Sequence, residues 1–183
     1  VHRARAAGYD ALHITVDTPV AGARHRDRRN GMQFPPRLTP TAMLDAAPKV
    51  EWWWSFLTSD PIEFAAISEW DGTVAELLDT MFDPSVDYEA LAEVRAAWDG
   101  PIVVKGVQSL DDAKRLASLG VDAITLSNHG GRQLDRAPVP FLLLPEVVRE
   151  VGGDVEVHLD TGIMSGTDIV AAVALGARST MVG

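Results

Sequence analysis

The sequence predicts an α/β fold: a (β/α)8 TIM barrel, of which about strands 4 to 8 are present. Three observations carry this. From residue 101 onward, short apolar runs alternate with amphipathic segments at the spacing of βαβ units, which build parallel sheets. The apolar runs lack clean polar–apolar alternation, as expected for strands covered on both faces. Polar residues gather where the runs end, at Asp17, Lys105, Ser127-Asn128-His129 and Asp160. Barrel enzymes place their chemistry at the C-terminal ends of strands. No Gly-x-Gly-x-x-Gly follows the first strand, so a Rossmann dinucleotide site has no support.

Taken in order, residues 2–8 read as the end of a helix stopped at Gly8. Residues 11–17 read as a strand ended by Thr18-Pro19. Periodicity is poor from Gly22 to about Pro61, a stretch holding Arg24, Arg26, Arg28 and Arg29, a proline cluster (Pro35, Pro36, Pro40) and Trp52-Trp53-Trp54. A connection this long is usually functional, and residues 22–87 are expected to form a long active-site loop or lid. Short helices are expected near 41–46, 61–67 and 73–81, with the tryptophan run as core or lid packing. Residues 88–98 predict a helix with Leu91, Val94 and Trp98 on one stripe. The regular half follows: strand 101–106, helix 109–119 capped by Ser109 and stopped by Gly120, strand 121–127, helix 140–151. Strand 155–160, helix 166–175 stopped by Gly176 and a strand over 179–182 complete it. Trp70 and Trp98 are expected in the core.

Composition narrows the function classes. With 183 residues the chain can bury one core, and a net charge of −10 leaves no surplus cation for nucleic acid. The absence of cysteine excludes disulfides and thiolate chemistry and fits a reducing compartment. No apolar run approaches the ~20 residues needed to span a bilayer. The opening Val1 and the apolar run before Gly183 suggest ends cut from something longer.

The polar strand ends suggest chemistry. His129 precedes two glycines, which let the backbone turn sharply beside a ligand, and an imidazole there can act as a base near neutral pH. Arg132 offers a planar fork for a carboxylate, and Asp17 could steady the imidazolium. Lys105 ends an apolar strand, where a lysine is rare without a charge to balance. Arg24 is a second carboxylate candidate, although it also reads as one charge in a solvated basic run. Thr15 could offer a hydroxyl to the inner face. Asp160-Thr161-Gly162-Ile163-Met164-Ser165-Gly166 is a strand-to-helix turn of a kind that can hold phosphate. His2, His13, His25 and His158 have no evident partners, and no metal site is expected.

The chain resembles the FMN-dependent α-hydroxy-acid dehydrogenases and oxidases. The resemblance rests on four stretches: Ile14 to Arg24, Pro101 to Gly106, Ser127-Asn128-His129-Gly130-Gly131-Arg132-Gln133-Leu134-Asp135, and Asp160 to Ile163. It is weakest between about 38 and 85. The Ile163-Met164-Ser165-Gly166 variant looks most like actinobacterial L-lactate dehydrogenases of the quinone or cytochrome type. The resemblance implies FMN-dependent oxidation of a small L-2-hydroxy acid, most simply L-lactate to pyruvate. By that likeness His129, paired with Asp17, takes the hydroxyl proton while the α-hydrogen passes to flavin N5. Arg132 and Arg24 bind the substrate carboxylate. Lys105 lies at the flavin's pyrimidine edge, and Thr15 and Ser127 contact the flavin. Asp160, Thr161, Gly162, Ile163, Met164 and the Gly183 region hold the FMN phosphate. Quinone, cytochrome or oxygen would accept the electrons. A homo-oligomeric parent is implied, cytoplasmic or peripheral on the inner face of the cell membrane.

Two departures from the family pattern stand out. At the phosphate turn, Thr161 occupies a usual glycine position and Met164 a usual arginine position. The family's amino-terminal strands, substrate tyrosines and an arginine after Gly183 also have no counterpart here. The chain is therefore expected to be a fragment with weak FMN binding and little turnover of its own. The competing readings are another phosphate- or FMN-binding barrel enzyme and a non-catalytic barrel fragment.

Overall fold

A computed structural model describes residues 1–20, 22, 25–31, 39–60 and 82–182, without the side chain of Arg28. The chain divides into two compact units, Val1–Ala23 with Phe82–Gly183, and Arg24–Met81. The expected short helices at 61–67 and 73–81, together with Trp70, lie outside the described residues, as do Arg24 and Gly183.

The first unit is built on five strands: β1 (Leu12–Thr15), β2 (Ile102–Val107), β3 (Ala123–Leu126), β4 (Glu156–Leu159) and β5 (Ser179–Thr180). All neighbours are parallel and follow sequence order, β1-β2-β3-β4-β5. A doubly wound sheet reverses its order at a switch point. This one never reverses, so it winds in one direction as a barrel wall does.

Register separates the two faces. Leu12, Ile14, Ile102, Val104, Ile124, Leu126, Val157 and Leu159 join the hydrophobic core with residues of the covering helices. Those helices are α1 (His2–Ala6) and, in the second half, helices spanning Tyr88–Ala97, Leu110–Leu119, Pro140–Val151 and Gly166–Ala174. Leu116, Leu144, Val147 and Ala172 are fully or almost fully buried among them. The opposite face carries Thr15, Lys105, Thr125 and His158 in one row, because these residues are register partners across four strands. This is the face that a barrel turns inward.

Several local expectations hold for stated physical reasons. Ser109 accepts the Asp112 amide at the start of its helix, and Gly120 ends that helix in the left-handed region at φ 80°. Asp87 caps the helix at Tyr88–Ala97, and Trp98 is buried. The strands are shorter than expected at β1, β3 and β4. The expected absence of alternation holds for β3, which is buried throughout. It fails for β1 and β4, where buried or half-buried residues alternate with more exposed ones. There the helix-side face is covered while the polar inner face is open.

The second unit contains α2 (His25–Arg29), α3 (Pro40–Ala46) and α4 (Val50–Thr58). Thr39 caps α3 by accepting the Ala42 amide, and Pro40 stands at its first position, where a missing N–H costs nothing. Helix α4 was not anticipated, since its three tryptophans obscure helical periodicity. Trp52 stacks on Phe56 at 5.2 Å, and the Trp53 indole donates to Ala46 O at 3.0 Å. Of the core or lid packing expected for this run, core packing within the unit fails for two residues: Trp52 is 51% exposed and Trp54 72%.

Candidate active site

The second-half helices are numbered α5 (Tyr88–Ala97), α6 (Leu110–Leu119), α7 (Pro140–Val151) and α8 (Gly166–Ala174). At the C-terminal ends of β1 to β4 the first unit assembles six of the expected site residues into one connected cluster. His129 follows β3 in a single 3-10 turn with Gly130 and Gly131. Its Nδ1 lies 3.1 Å from Asp17 Oδ1, which follows β1. The Asp17 side chain is 1% exposed, whereas that of His129 is 36% exposed. An ionised carboxylate only accepts, so Nδ1 carries the proton between them and Nε2 is left as the basic nitrogen.

Gly106 makes this approach possible. It sits at an irregularity in β2, between Lys105 and Val107, with φ +106°. A Cβ at this position would stand 2.6 Å from Asp17 Cβ and 2.8 Å from the Asp17 backbone nitrogen. The left-handed conformation and the close approach therefore both demand glycine. Gly22 has a similar function on the next stretch, where a Cβ would meet the Arg132 carbonyl oxygen at 2.2 Å. The chain after β1 is thus seated directly against the chain after β3.

Lys105 reaches across the same inner face. Its Nζ lies 2.7 Å from Asp160 Oδ2 and donates to Ser127 Oγ at 3.0 Å. The side chains of Lys105 and Asp160 are only 14% and 13% exposed. Burial alone pushes the Asp160 carboxyl up, but hydrogen bonds from Lys105, Ser127 and Thr161 and the charge of Lys105 outweigh it. The group therefore sits below the usual carboxylate range. The Ser127 hydroxyl, itself fully buried, also accepts the His129 amide at 3.0 Å. Thr161 Oγ1 donates to Asp160 Oδ1 at 2.8 Å and accepts the Gly130 amide at 3.2 Å.

The remaining expected residues fall around this cluster. Thr15 is exposed on the inner face beside Lys105, its register partner. Arg132 is exposed one residue beyond the His129 turn. Ile163 packs its side chain against the core, and Met164 is 90% exposed. Gly162, at φ +79°, leaves open space where a Cβ would stand. The Met164 and Ser165 amides are both held by Asp168 Oδ2, at 3.0 and 2.9 Å, as part of the capping box of α8.

Sequence reasoning missed four participants. Gly106 and Asp168 act on backbone geometry and could have been found only from the β-bulge and from the Ser165-x-x-Asp168 capping spacing. Thr125 is completely buried with an Oγ1 that finds no partner among the described residues, and it lies beside Lys105 in register. His13 lies two residues before Thr15 on the inner face. Partial burial, then the charges of Lys105 and His158, push it below the ordinary histidine range against the opposing pull of Asp160. His158, without an evident partner in the sequence, lies 3.4 Å from Glu156 Oε2.

The Gly106 geometry has a direct test. Gly106→Ala is expected to lower stability by about 2 to 4 kcal/mol through the left-handed φ and overpacking against Asp17. Urea unfolding measures it, and an unchanged midpoint would remove Gly106 from this role.

Comparison with known proteins places this cluster in context. Residues 1–183 match the family described as FMN-dependent dehydrogenase. The "Putative L-lactate dehydrogenase" of Mycobacterium tuberculosis is 58% identical over 183 residues, covering 100% of this chain and 44% of that protein. The L-lactate dehydrogenase of Vibrio cholerae serotype O1 is 40% identical over 190 residues, covering 100% of this chain and 50% of the relative. The chain therefore spans about half the length of the curated relatives it matches. Among solved structures, the monotopic membrane protein (S)-mandelate dehydrogenase superposes with a TM-score of 0.90 at 35% identity, over 100% of this chain and 49% of that one. A mandelate oxidase variant with a C4a-OH-FMN adduct gives a TM-score of 0.71 at 37% identity, over 100% of this chain and 44% of that one. The family match over the full chain and the one-directional parallel sheet agree, and the chain belongs to the FMN-dependent dehydrogenase family.

Proposed function

We propose that the protein oxidises a small L-2-hydroxy acid, L-lactate to pyruvate in the simplest case, with FMN as cofactor. The observation that carries this reading is the Asp17–His129 pair standing beside the Lys105–Ser127–Asp160 cluster on one barrel face. The L-lactate dehydrogenases among the relatives support the substrate. The mandelate enzymes share its chemical class, a carboxylate beside a CH–OH carbon.

The residues present fit an FMN. Lys105 supplies a cation and Ser127 a hydroxyl at the inner face, while the buried Thr125 hydroxyl has no partner among the described residues. The open turn at Gly162 leaves backbone room that a phosphate could use. In this assignment Thr15, Lys105 and Ser127 hold the ring side, and Asp160, Gly162, Ile163, Met164 and Gly183 belong to the phosphate side. FMN, when bound, supplies the two-electron oxidant that takes the α-hydrogen.

The chain's own groups do the rest. His129 Nε2 takes the hydroxyl proton of the substrate. Asp17, sealed from water behind Gly106, fixes the ring by its Nδ1 and steadies the positive charge that the proton brings. Arg132, with Arg24, grips the substrate carboxylate through its planar fork and so orients C2. The electron acceptor would be a quinone, a cytochrome or oxygen, and the protein would work as a homo-oligomer.

The exposed Trp52, Trp54, Phe56 and Leu57 on α4 support a peripheral seat on a membrane surface, since aromatic side chains favour the lipid–water interface. Among the described residues no helix is long and apolar enough to cross a membrane. Cosedimentation with phosphatidylglycerol-containing vesicles should fall on the Trp52→Ser, Trp54→Ser double substitution. Equal pelleting of both proteins would overturn that seat.

In the full-length protein, FMN should be bleached anaerobically by L-lactate. His129→Gln should slow this reduction by about a hundredfold or more, the range for a lost general base, while FMN stays bound. Bound flavin that L-lactate, glycolate and mandelate all leave oxidised would instead favour another FMN-binding barrel. A full-length protein that never retains flavin would favour a non-catalytic role.

A further inference from the structure

Thr161 has a backbone conformation ill suited to its side chain. Its φ is +75°, in the left-handed region where a β-branched residue is an outlier and glycine is the ordinary occupant. Such strain persists where the surrounding contacts over-determine it. Here the contacts are two hydrogen bonds of defined direction. The single hydroxyl proton goes to Asp160 Oδ1 at 2.8 Å, which turns a lone pair toward the Gly130 amide at 3.2 Å.

These two bonds complete a ring. The Gly130 N–H donates to Thr161, Thr161 donates to Asp160, and Lys105 pairs with the other Asp160 oxygen at 2.7 Å. Lys105 also donates to Ser127, and the His129 N–H donates to the same Ser127 oxygen, each at 3.0 Å. The His129–Gly130 peptide closes the circuit. His129 itself has φ +56°, a left-handed value uncommon for a residue with a side chain, and Gly130 follows at φ +67°, so the turn carrying the imidazole is strained at His129 and needs an external hold. Ser127 grips it from one side and Thr161 from the other.

We propose that Thr161 is a positioning residue of the catalytic turn. Its hydroxyl ties the His129–Gly130 backbone to the Lys105–Asp160 pair, so that the base and the cofactor-side cation are held as one unit. This rests on the reading of His129 as the base, and it replaces the expected role of Thr161 as a phosphate contact. Position 161 then links the turn after β4 to the turn after β3, a task that glycine could not perform for want of a hydroxyl.

The test uses the full-length FMN-loaded protein with Thr161→Val, which keeps the branched shape and loses both hydrogen bonds, and Thr161→Ser, which keeps them. Thr161→Val should speed exchange of the Gly130 amide proton, followed by NMR with and without FMN, by about tenfold, as for one hydrogen bond lost. It should lower kcat for flavin reduction by about tenfold and leave KM and the FMN Kd within about twofold, since a misplaced base affects the reacting geometry alone. Thr161→Ser should keep both Gly130 exchange and kcat at the values of the unsubstituted protein. If the valine protein does not fold, Thr161→Gly, which relieves the φ strain but lacks the hydroxyl, carries the same expectation. Unchanged Gly130 exchange in the hydroxyl-free variant overturns the proposal. So does a large rise in FMN Kd with kcat intact at saturating FMN, which marks a cofactor contact. Gly130 exchange in the FMN-free protein does not depend on turnover. A failure of His129 as base would therefore leave this measurement readable.

Discussion

The arrangement depends on one contact, between Asp17 Oδ1 and His129 Nδ1 at 3.1 Å, made by residues 112 positions apart in the chain. A carboxylate that is nearly sealed from water is costly unless a charged or donating partner meets it. Asp17 Oδ2 has no partner among the described residues, so the burden falls on the bond to the imidazole. That bond fixes ring orientation and tautomer in a single stroke. Gly106 exists in its left-handed form to let this carboxylate in, and Gly22 holds the following segment against Arg132. The parallel sheet supplies the rest by bringing the ends of β1 and β3 to the same rim with only β2 between them.

The two faces of that sheet divide the work. The helix-side face is aliphatic and closely packed, with Val104, Ile124, Leu126 and Leu159 at no exposure at all. Close packing of this kind resists displacement and holds the rim in place. The other face carries Thr15, Lys105, Thr125 and His158 in one row, with Ser127 and Asp160 just above. Charges there are balanced locally, most clearly by Lys105 against Asp160. The strain at His129 and Thr161 is concentrated on the two turns that meet over this pair.

Much of the fold was legible because the second half obeys local rules. Ser109 and Gly120 bracket their helix as their chemistry requires, and the helix Pro140–Val151 begins and ends where the pattern put it. The site residues were legible because strand ends in such a sheet converge, so Asp17, Lys105, Ser127, His129 and Asp160 could be grouped before any coordinates. What escaped was tertiary. Helix α4 hides behind Trp52-Trp53-Trp54, whose bulk reads as core although two of the three are exposed. Thr161 reads as a phosphate-turn residue, while its hydroxyl in fact faces the Gly130 amide across 31 positions. Asp168, not singled out in the sequence, takes the Met164 and Ser165 amides. No propensity or spacing encodes that the Thr161 hydroxyl will meet the Gly130 amide from a different turn.

The central claim concerns a proton: Asp17 holds it on His129 Nδ1 and leaves Nε2 bare as the base. Long-range 1H–15N correlation spectra of the His129 imidazole, recorded above its titration, read the tautomer directly. The account predicts the Nδ1–H form, with a downfield Nδ1 proton that disappears in Asp17→Asn. A dominant Nε2–H tautomer would contradict it, because the nitrogen meant to receive the substrate proton would already carry one.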